Sequence, residues 1–220
     1  MISISENEKL EYLEKLESQS ISLSGEIIMQ LCKDSDYYIR YRLSQVLVNY
    51  HNELSESVLT CLLDDEEEIV RANACDSLCW SSSMNTLEKM LVMLKNDKYL
   101  VRGYALSSIA DIILNNNYFD YVTKVKNILK YEKSKFVLLY YYSFLYRLGD
   151  REYLLKIAES LNAVKYTDRC NAANLLYYTA EDKDFSVVIN LMKNRLLVEK
   201  TLAVKSTFQR IIKDLEEKLY

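Results

Sequence analysis

The sequence predicts an all-α protein, an α-solenoid of about six helical-hairpin repeats behind an N-terminal capping helix. The 220 residues include no Pro and only three Gly, the residues that interrupt helices, and half of them are hydrophobic. A short phrase also returns, in which an Asp is followed five or six residues later by an Arg: Asp34 to Arg40, Asp65 to Arg71, and Asp97 to Arg102. The three Arg positions are 31 residues apart. A fixed period of this length is typical of stacked helical repeats.

We call the position of this Arg in each repeat the frame position. The spacing of the frame positions is interrupted once by five extra residues, and it then resumes at Leu138, Arg169 and Lys200, which are again 31 residues apart. The turn-forming run Asn115–Asn117 indicates that the irregular spacing lies within residues 115–134. We therefore expect a single domain over residues 1–220, with a capping helix in residues 1–19 and six repeats in residues 20–220.

The capping helix is predicted from Ser3 to Ser18. Ser5 and Glu8 have the spacing of a capping box, and Leu10, Leu13 and Leu16 form one apolar stripe. A helix that is apolar on one side and charged on the other suits the end of a stack of repeats.

Each repeat is expected to contain two helices. The first helices are predicted at Gly25–Cys32, Ser55–Leu63, Asn85–Lys95, Phe119–Lys130, Arg151–Leu161 and Phe185–Asn194. The second helices, which contain the Arg of the phrase, are predicted at Asp36–Tyr50, Glu66–Ser81, Lys98–Leu114, Ser134–Leu148, Tyr166–Thr179 and Val198–Lys218. Ser55 is expected as an N-cap, and Gly149 as the residue that ends its helix.

The second helices have one face that is polar and aromatic from repeat to repeat. Positions three and seven after the frame residue are mostly aliphatic and predict the buried side, whereas positions two, five and nine share the opposite face. We call the residues of that opposite face the ladder and predict that it binds a partner. The ladder consists of Arg42, Gln45, Asn73, Asp76, Trp80, Tyr104, Asp111, Tyr140, Arg147, Asn171, Asn174 and Tyr178.

This combination of paired helices, an Asp before the second helix and an Arg within it resembles the HEAT repeat. The short period is most similar to the HEAT-like repeats named after phycobilisome lyases, and the resemblance covers roughly residues 20 to 215. It implies an armadillo-like superhelix whose second helices line a concave, partner-binding face. It also implies structural pairs between neighbouring repeats, since a guanidinium can fork onto a carboxylate. The residues expected in those pairs are Asp34, Arg40, Asp65, Arg71, Asp97 and Arg102.

Composition argues against several classes of function. A net charge of −4 gives no basic footprint for nucleic acid, and the single His and five Cys, without a C-x-x-C, provide no set of metal ligands. We therefore predict no cofactor and no metal. The polar, acidic start is unlike a signal peptide, and the longest apolar run is shorter than a membrane span. These features favour a cytoplasmic protein that does not bind membranes.

The predicted function is a non-enzymatic scaffold that binds another protein through the ladder, as an inhibitor or immunity-type protein does. We expect a monomer or a weak dimer. An alternative comes from Trp80, Asp111, Arg147 and Tyr178, which are similar in type to the residues of HEAT-like alkylpurine DNA glycosylases. A third hypothesis, suggested only by the repeat subtype, is a lyase or chaperone for a tetrapyrrole.

Overall fold

The fold was taken from a computed structural model, which describes residues 5–219 of the chain. These residues form thirteen α-helices and two short 3-10 helices, and contain no β-strand. The predicted all-α class of helical-hairpin repeats is therefore confirmed. The chain forms two compact units, which meet in sequence between Tyr131 and Glu132. The expected start of the capping helix at Ser3 lies outside the described residues.

The first unit contains the capping helix and the first seven helices of the repeats. Its helices are α1 Glu6–Glu17, α2 Gly25–Leu31, α3 Tyr37–Leu47, α4 Glu53–Leu62, α5 Glu68–Ser77, α6 Met84–Asn96, α7 Tyr99–Asn116 and α8 Tyr121–Leu129. Helix α1 packs on α3, α3 on α5, and α5 on α7, so that the second helices lie side by side. The first helices α2, α4 and α6 each pack on the second helix of their own repeat.

The second unit has the same construction. Its helices are α9 Lys135–Arg147, α10 Glu152–Glu159, α11 Tyr166–Thr179, α12 Phe185–Leu196 and α13 Leu202–Lys218. Helix α9 packs on α11, and α11 packs on α13, while α10 and α12 form the outer layer. Within the predicted fourth repeat, α8 belongs to the first unit and α9 to the second. The expectation of one domain over the whole chain stays a prediction.

Local sequence explains where the helices begin and end. Ser5 and Glu8 form the predicted capping box of α1. The prediction that Ser55 is an N-cap was wrong: Asn52 caps α4, and Ser55 completes the capping box from the third helical position. Gly149 has φ +103° just after α9, a conformation that residues with a Cβ rarely adopt.

The buried side of the second helices follows the predicted positions in most repeats. Leu43, Ala74 and Ala105, three residues after the frame Arg, are fully buried. Tyr141, at the same position in repeat four, is only half-buried. Each unit therefore has an aliphatic core between its two layers of helices.

The predicted frame was wrong in repeat six. Lys200 precedes α13, and Lys205 donates its backbone N–H to the N-cap carbonyl of Thr201, as Arg169 does to Lys165 one repeat earlier. The step from Arg169 to Lys205 is thus 36 residues rather than 31. A short 3-10 helix at Asp182–Asp184 lies between α11 and α12. Ala203 is consequently exposed, and Phe208 takes the buried position.

Within residues 5–219, no helix combines the length and apolar character that crossing a membrane would require.

Candidate functional site

The Arg residues of the phrase join neighbouring repeats. Arg40 donates from Nε and Nη2 to the two carboxylate oxygens of Asp65, at 2.6 and 2.9 Å, and from Nη1 to the carbonyl of Asp34 at 2.7 Å. Arg71 makes the same fork onto Asp97, at 2.9 and 2.7 Å, and donates to the Asp65 carbonyl at 2.8 Å. Each guanidinium therefore fixes its own turn and the next one.

Two further ion pairs extend this pattern beyond the residues predicted from sequence. Lys9 of α1 lies 2.6 Å from Asp34, which has no preceding repeat to supply an Arg. In the second unit, Arg169 forks onto Glu199 at 2.8 and 2.9 Å. Sequence analysis did not include Glu199 among the paired residues because the predicted frame placed it inside a helix. The signal that could have identified it is an acidic residue two positions before the N-cap Thr201. Arg102 lies half-buried at the equivalent position of α7.

These pairs hold the carboxylates in their charged form. Burial alone would raise the pKa of Asp34 and Asp97, but hydrogen bonds from Lys9 and Arg71 outweigh it, and both pKa values lie below normal. Burial also acts on Glu199, yet the Thr201 amide and Arg169 lower its pKa to about 2. Asp34, Asp97 and Glu199 consequently remain ionised at neutral pH.

In the first unit, hydrogen bonds hold the polar side chains at the start of the ladder. Arg42 donates to Gln45 at 2.8 Å and to Glu17 of α1 at 2.7 Å. Gln45 in turn donates to the hydroxyl of Tyr41 at 2.7 Å. On the next repeat, Asn73 donates to Ser44 of α3 at 2.9 Å. This part of the ladder presents a polar surface whose side chains are already held in place.

The middle of the ladder brings two carboxylates near each other, Asp76 on α5 and Asp111 on α7. Desolvation raises the pKa of Asp76, and the charge of Asp111 raises it further. Burial and the same two carboxylates also raise the pKa of Cys79. Asp76 remains accessible to solvent.

Trp80 forms the aromatic part of the ladder in the first unit. Its ring stacks on His51, with the ring centroids 4.7 Å apart. Its indole Nε1 is buried and has no hydrogen-bond partner among the described residues. Sequence reasoning did not single out His51, because it lies in the turn after α3, outside the helical pattern. Tyr104 lies half-buried on α7.

The ladder residues of the second unit lie on α9 and α11. Tyr178 is 77% exposed and stands edge-on to Tyr177. Asn174 accepts a hydrogen bond from Arg210 of α13 at 2.8 Å. The remaining members are all half-buried: Tyr140, Arg147 and Asn171. The most exposed aromatic group of the ladder is therefore Tyr178.

The structure groups the ladder by unit. Trp80 and Asp111, two of the four residues behind the glycosylase hypothesis, belong to the first unit, and Arg147 and Tyr178 belong to the second. Among residues 5–219, no group of three or more His, Cys, Asp or Glu side chains is arranged to hold a metal ion.

Comparisons with known proteins concern the fold. No family model matches the chain, and no curated protein matches it. Among solved structures, it is similar to a chain of the complex of CpcE and CpcF of phycocyanin lyase from Nostoc sp. PCC7120, with 14% identity, a TM-score of 0.46, and coverage of 91% of this chain and 96% of that chain. It is also similar to the designed armadillo repeat protein YIII(Dq)4CqI, with 14% identity, a TM-score of 0.38, and coverage of 86% of this chain and 98% of that chain.

Proposed function

We propose that the chain is a non-enzymatic module that binds another protein through the ladder on its second helices. The observation that supports this most is the composition of the ladder within each unit. In the first unit, hydrogen bonds hold the polar side chains of Arg42 and Gln45 in place, and in the second unit Tyr178 is exposed. Side chains that are already ordered lose little entropy on binding, and tyrosine is a frequent anchor in protein interfaces.

Asp76 on α5 favours a partner with a basic surface. Its carboxylate is accessible to solvent, although desolvation and then the charge of Asp111 raise its pKa. A basic side chain of a partner would pair with this carboxylate. The same carboxylate repels a phosphate backbone, which disfavours the DNA glycosylase alternative for this part of the ladder.

The expected compartment and oligomeric state belong to the same proposal. All five cysteines are free, as a reducing compartment such as the cytoplasm would keep them. We propose that the protein acts there as a monomer or weak dimer, so that the ladder is open to its partner.

The test is affinity capture from native lysate with a variant that changes one residue in each unit, Asp76→Lys with Tyr178→Ala. Both side chains are accessible, so the variant should fold as the wild type does. A matched control, Glu26→Lys with Tyr131→Ala, makes the same changes at accessible positions outside the second helices. We expect a protein retained by the wild type and by the control to be lost from the ladder variant.

Two outcomes would contradict the proposal. One is that the ladder variant and the wild type retain the same proteins in the same amounts. The other is that the retained material disappears after nuclease treatment. This would identify nucleic acid as the ligand and make Asp111 and Arg147 the next residues to test.

A further inference from the structure

The contact between α9 and α11 differs from the contact between α3 and α5, although the helices occupy equivalent places in their repeats. Between α3 and α5 the contact is polar: Arg40 forks onto Asp65, and Asn73 donates to Ser44. Counting from the N-caps, Leu138 stands in the place of Arg40 and Ala163 in the place of Asp65. The two halves of the ion pair are therefore both absent from the second unit at this contact.

The hydrogen bond next to that ion pair is also replaced. Tyr142 occupies the place of Ser44, while Asn171 retains the amide of Asn73. Among the described residues, no hydrogen bond reaches the side chain of Asn171, because the tyrosine has replaced its partner. The exchange thus leaves one amide with unused hydrogen-bonding groups.

A second exchange introduces a charge at a core position. In five of the six repeats the residue before the frame position is aliphatic and fully buried: Ile39, Val70, Val101, Val137 and Val204. Repeat five has Asp168 there, half-buried. Within residues 5–219, no hydrogen bond or ion pair reaches this carboxylate. The carboxylate lies in the first turn of α11, where the helix dipole favours a negative charge, and its oxygens are open to a cationic ligand.

The exchanged residues line a cavity of about 370 Å³ between α9, the end of α10 and the start of α11. One side is apolar, with Phe136, Leu138, Leu139 and Tyr142, and the other is polar, with Asp168 and Asn171. The cleft at the equivalent turn of repeats one and two measures about 450 Å³, but Arg40 and Asp65, which line it, already neutralise each other. A volume of this size is in the range of small-molecule sites.

The charged side chains of the lining are two cations and two anions, and they differ in how far they are buried and paired. Lys156 is paired with Glu159 at 3.6 Å, so these two lining residues largely cancel. Lys135, at the first position of α9, is exposed and can keep its ammonium in water. Asp168 is the charged group that is half-buried in the lining and is not neutralised.

We propose that this cavity binds an organic cation with an apolar body, held by the carboxylate of Asp168 and the amide of Asn171 against the wall formed by Phe136, Leu138 and Tyr142. The ligand group is an ammonium, amidinium or guanidinium. It is either a free small molecule or a basic side chain of another protein. The site shares Asn171 with the ladder, but it lies in the second unit alone, and binding of a small cation there can be measured without any partner protein.

The first test uses benzamidine, a flat apolar ring with one amidinium group, added to the full chain and followed by ¹H–¹⁵N spectra. Benzamide and benzoate are matched probes of the same shape, one neutral and one anionic. We expect benzamidine to shift the amides around Phe136, Asp168 and Asn171 and to bind about tenfold more tightly than benzamide, since its bond to Asp168 is charge-assisted. Equal binding of benzamidine and benzoate would overturn the proposal.

Three variants separate binding from folding. Asp168→Asn keeps the shape and removes the charge, and should bring benzamidine binding down to that of benzamide. Asp168→Val restores the aliphatic residue of the other repeats, and should abolish binding. Leu138→Arg with Ala163→Asp rebuilds the missing ion pair across the cavity and should also abolish binding. Asp182→Asn, an exposed carboxylate of the same unit, is the control that should change nothing.

Benzamidine binding by these variants decides the role of the carboxylate. If Asp168→Asn or Asp168→Val binds benzamidine as the wild type does, Asp168 is not a ligand-binding residue and the proposal fails. Nα-acetyl-arginine amide, tested beside benzamidine, identifies the source of the cation. Tighter binding of the arginine derivative indicates a protein side chain, and tighter binding of benzamidine indicates a small molecule.

Discussion

Lys9 Nζ lies 2.6 Å from Asp34 Oδ2, and this contact gives the first repeat the cation that later repeats receive from an Arg of the repeat before. The carboxylate side chain of Asp34 is only 6% exposed, so water screens the pair weakly. The capping helix therefore does more than cover an apolar surface. It also supplies the ion-pair partner of a buried carboxylate, which otherwise accepts a hydrogen bond from the backbone N–H of Asp36.

Removing this cation should destabilise the first unit. We expect Lys9→Met to lower the free energy of unfolding by about 1–3 kcal/mol, because the buried charge of Asp34 then loses its ion-pair partner and keeps the hydrogen bond from the Asp36 backbone N–H. Urea unfolding followed by circular dichroism measures the effect. Lys15→Met is the matched control, since Lys15 also lies 2.6 Å from a carboxylate, that of Glu11, but both side chains are exposed. It should cost at most about 0.5 kcal/mol, and equal losses in the two variants would refute the distinction.

Glu199 should make the second unit sensitive to acid. Its pKa is about 2 in the folded chain, below the ordinary value of 4.5, because the Thr201 amide and Arg169 outweigh burial. The folded state therefore holds fewer protons than the unfolded state in this range. The stabilisation is present above pH 4.5 and is lost as the pH falls towards 2.

The variant Glu199→Gln tests this pH dependence. We expect it to be less stable than the wild type at pH 7 by on the order of 3 kcal/mol, and the difference to shrink as the pH approaches 2. Urea midpoints at pH 7, 5 and 3 provide the measurement. Glu217→Gln, in an exposed ion pair with Lys213, should show no such convergence. A constant difference for Glu199→Gln at all three pH values would contradict the assignment.

Tyr146 supports a buried carboxylate in the second unit. Its hydroxyl donates to Asp184, which also accepts from Arg151. Tyr146→Phe should lower stability by about 1–2 kcal/mol, because Asp184 loses a buried donor while the ring still fills its space. Thermal unfolding measures the loss, and Tyr166→Phe, at an exposed position, is expected to change little.

The same tyrosine predicts a response to alkali. Burial, and then the hydrogen bond to Asp184, raise the pKa of Tyr146 to about 12 from its usual 10. The folded chain keeps a proton that the unfolded chain releases, so stability should decline as the pH rises from 10 to 12. This part of the decline should be absent from Tyr146→Phe.

The cysteines should react in the order of their exposure. Cys61 is exposed, whereas Cys32 and Cys75 are buried. Burial, and then the neighbouring Cys61, raise the pKa of Cys32 to about 12, and burial raises that of Cys75. Because the thiolate is the reactive form, we expect iodoacetamide to modify Cys61 first and Cys32 and Cys75 only after unfolding. Peptide mass spectrometry after timed quenching measures this, and rapid modification of Cys75 in the native chain would contradict it.

Much of the fold could be predicted because its signals are local in the sequence. A period of 31 residues, the apolar spacing within each helix and the Asp-to-Arg phrase predicted the pairs of helices. Helix α11 was predicted with both ends correct, and the ends of most other helices differ by a few residues from the prediction. The ladder was also predicted from one helical face, and its binding role stays a prediction.

The sequence by itself determined the class of fold and the residues that begin and end many of its helices, because caps and periodicity act over a few neighbouring residues. Only the tertiary structure decided which residues meet where the repeated phrase is irregular. The lengths of the turns determine this, so that Arg169 pairs with Glu199, and Lys205 rather than Lys200 takes the frame position. The cavity beside Asp168 could not be predicted from the sequence. Its lining residues are far apart in the chain and come together only when α9, α10 and α11 pack.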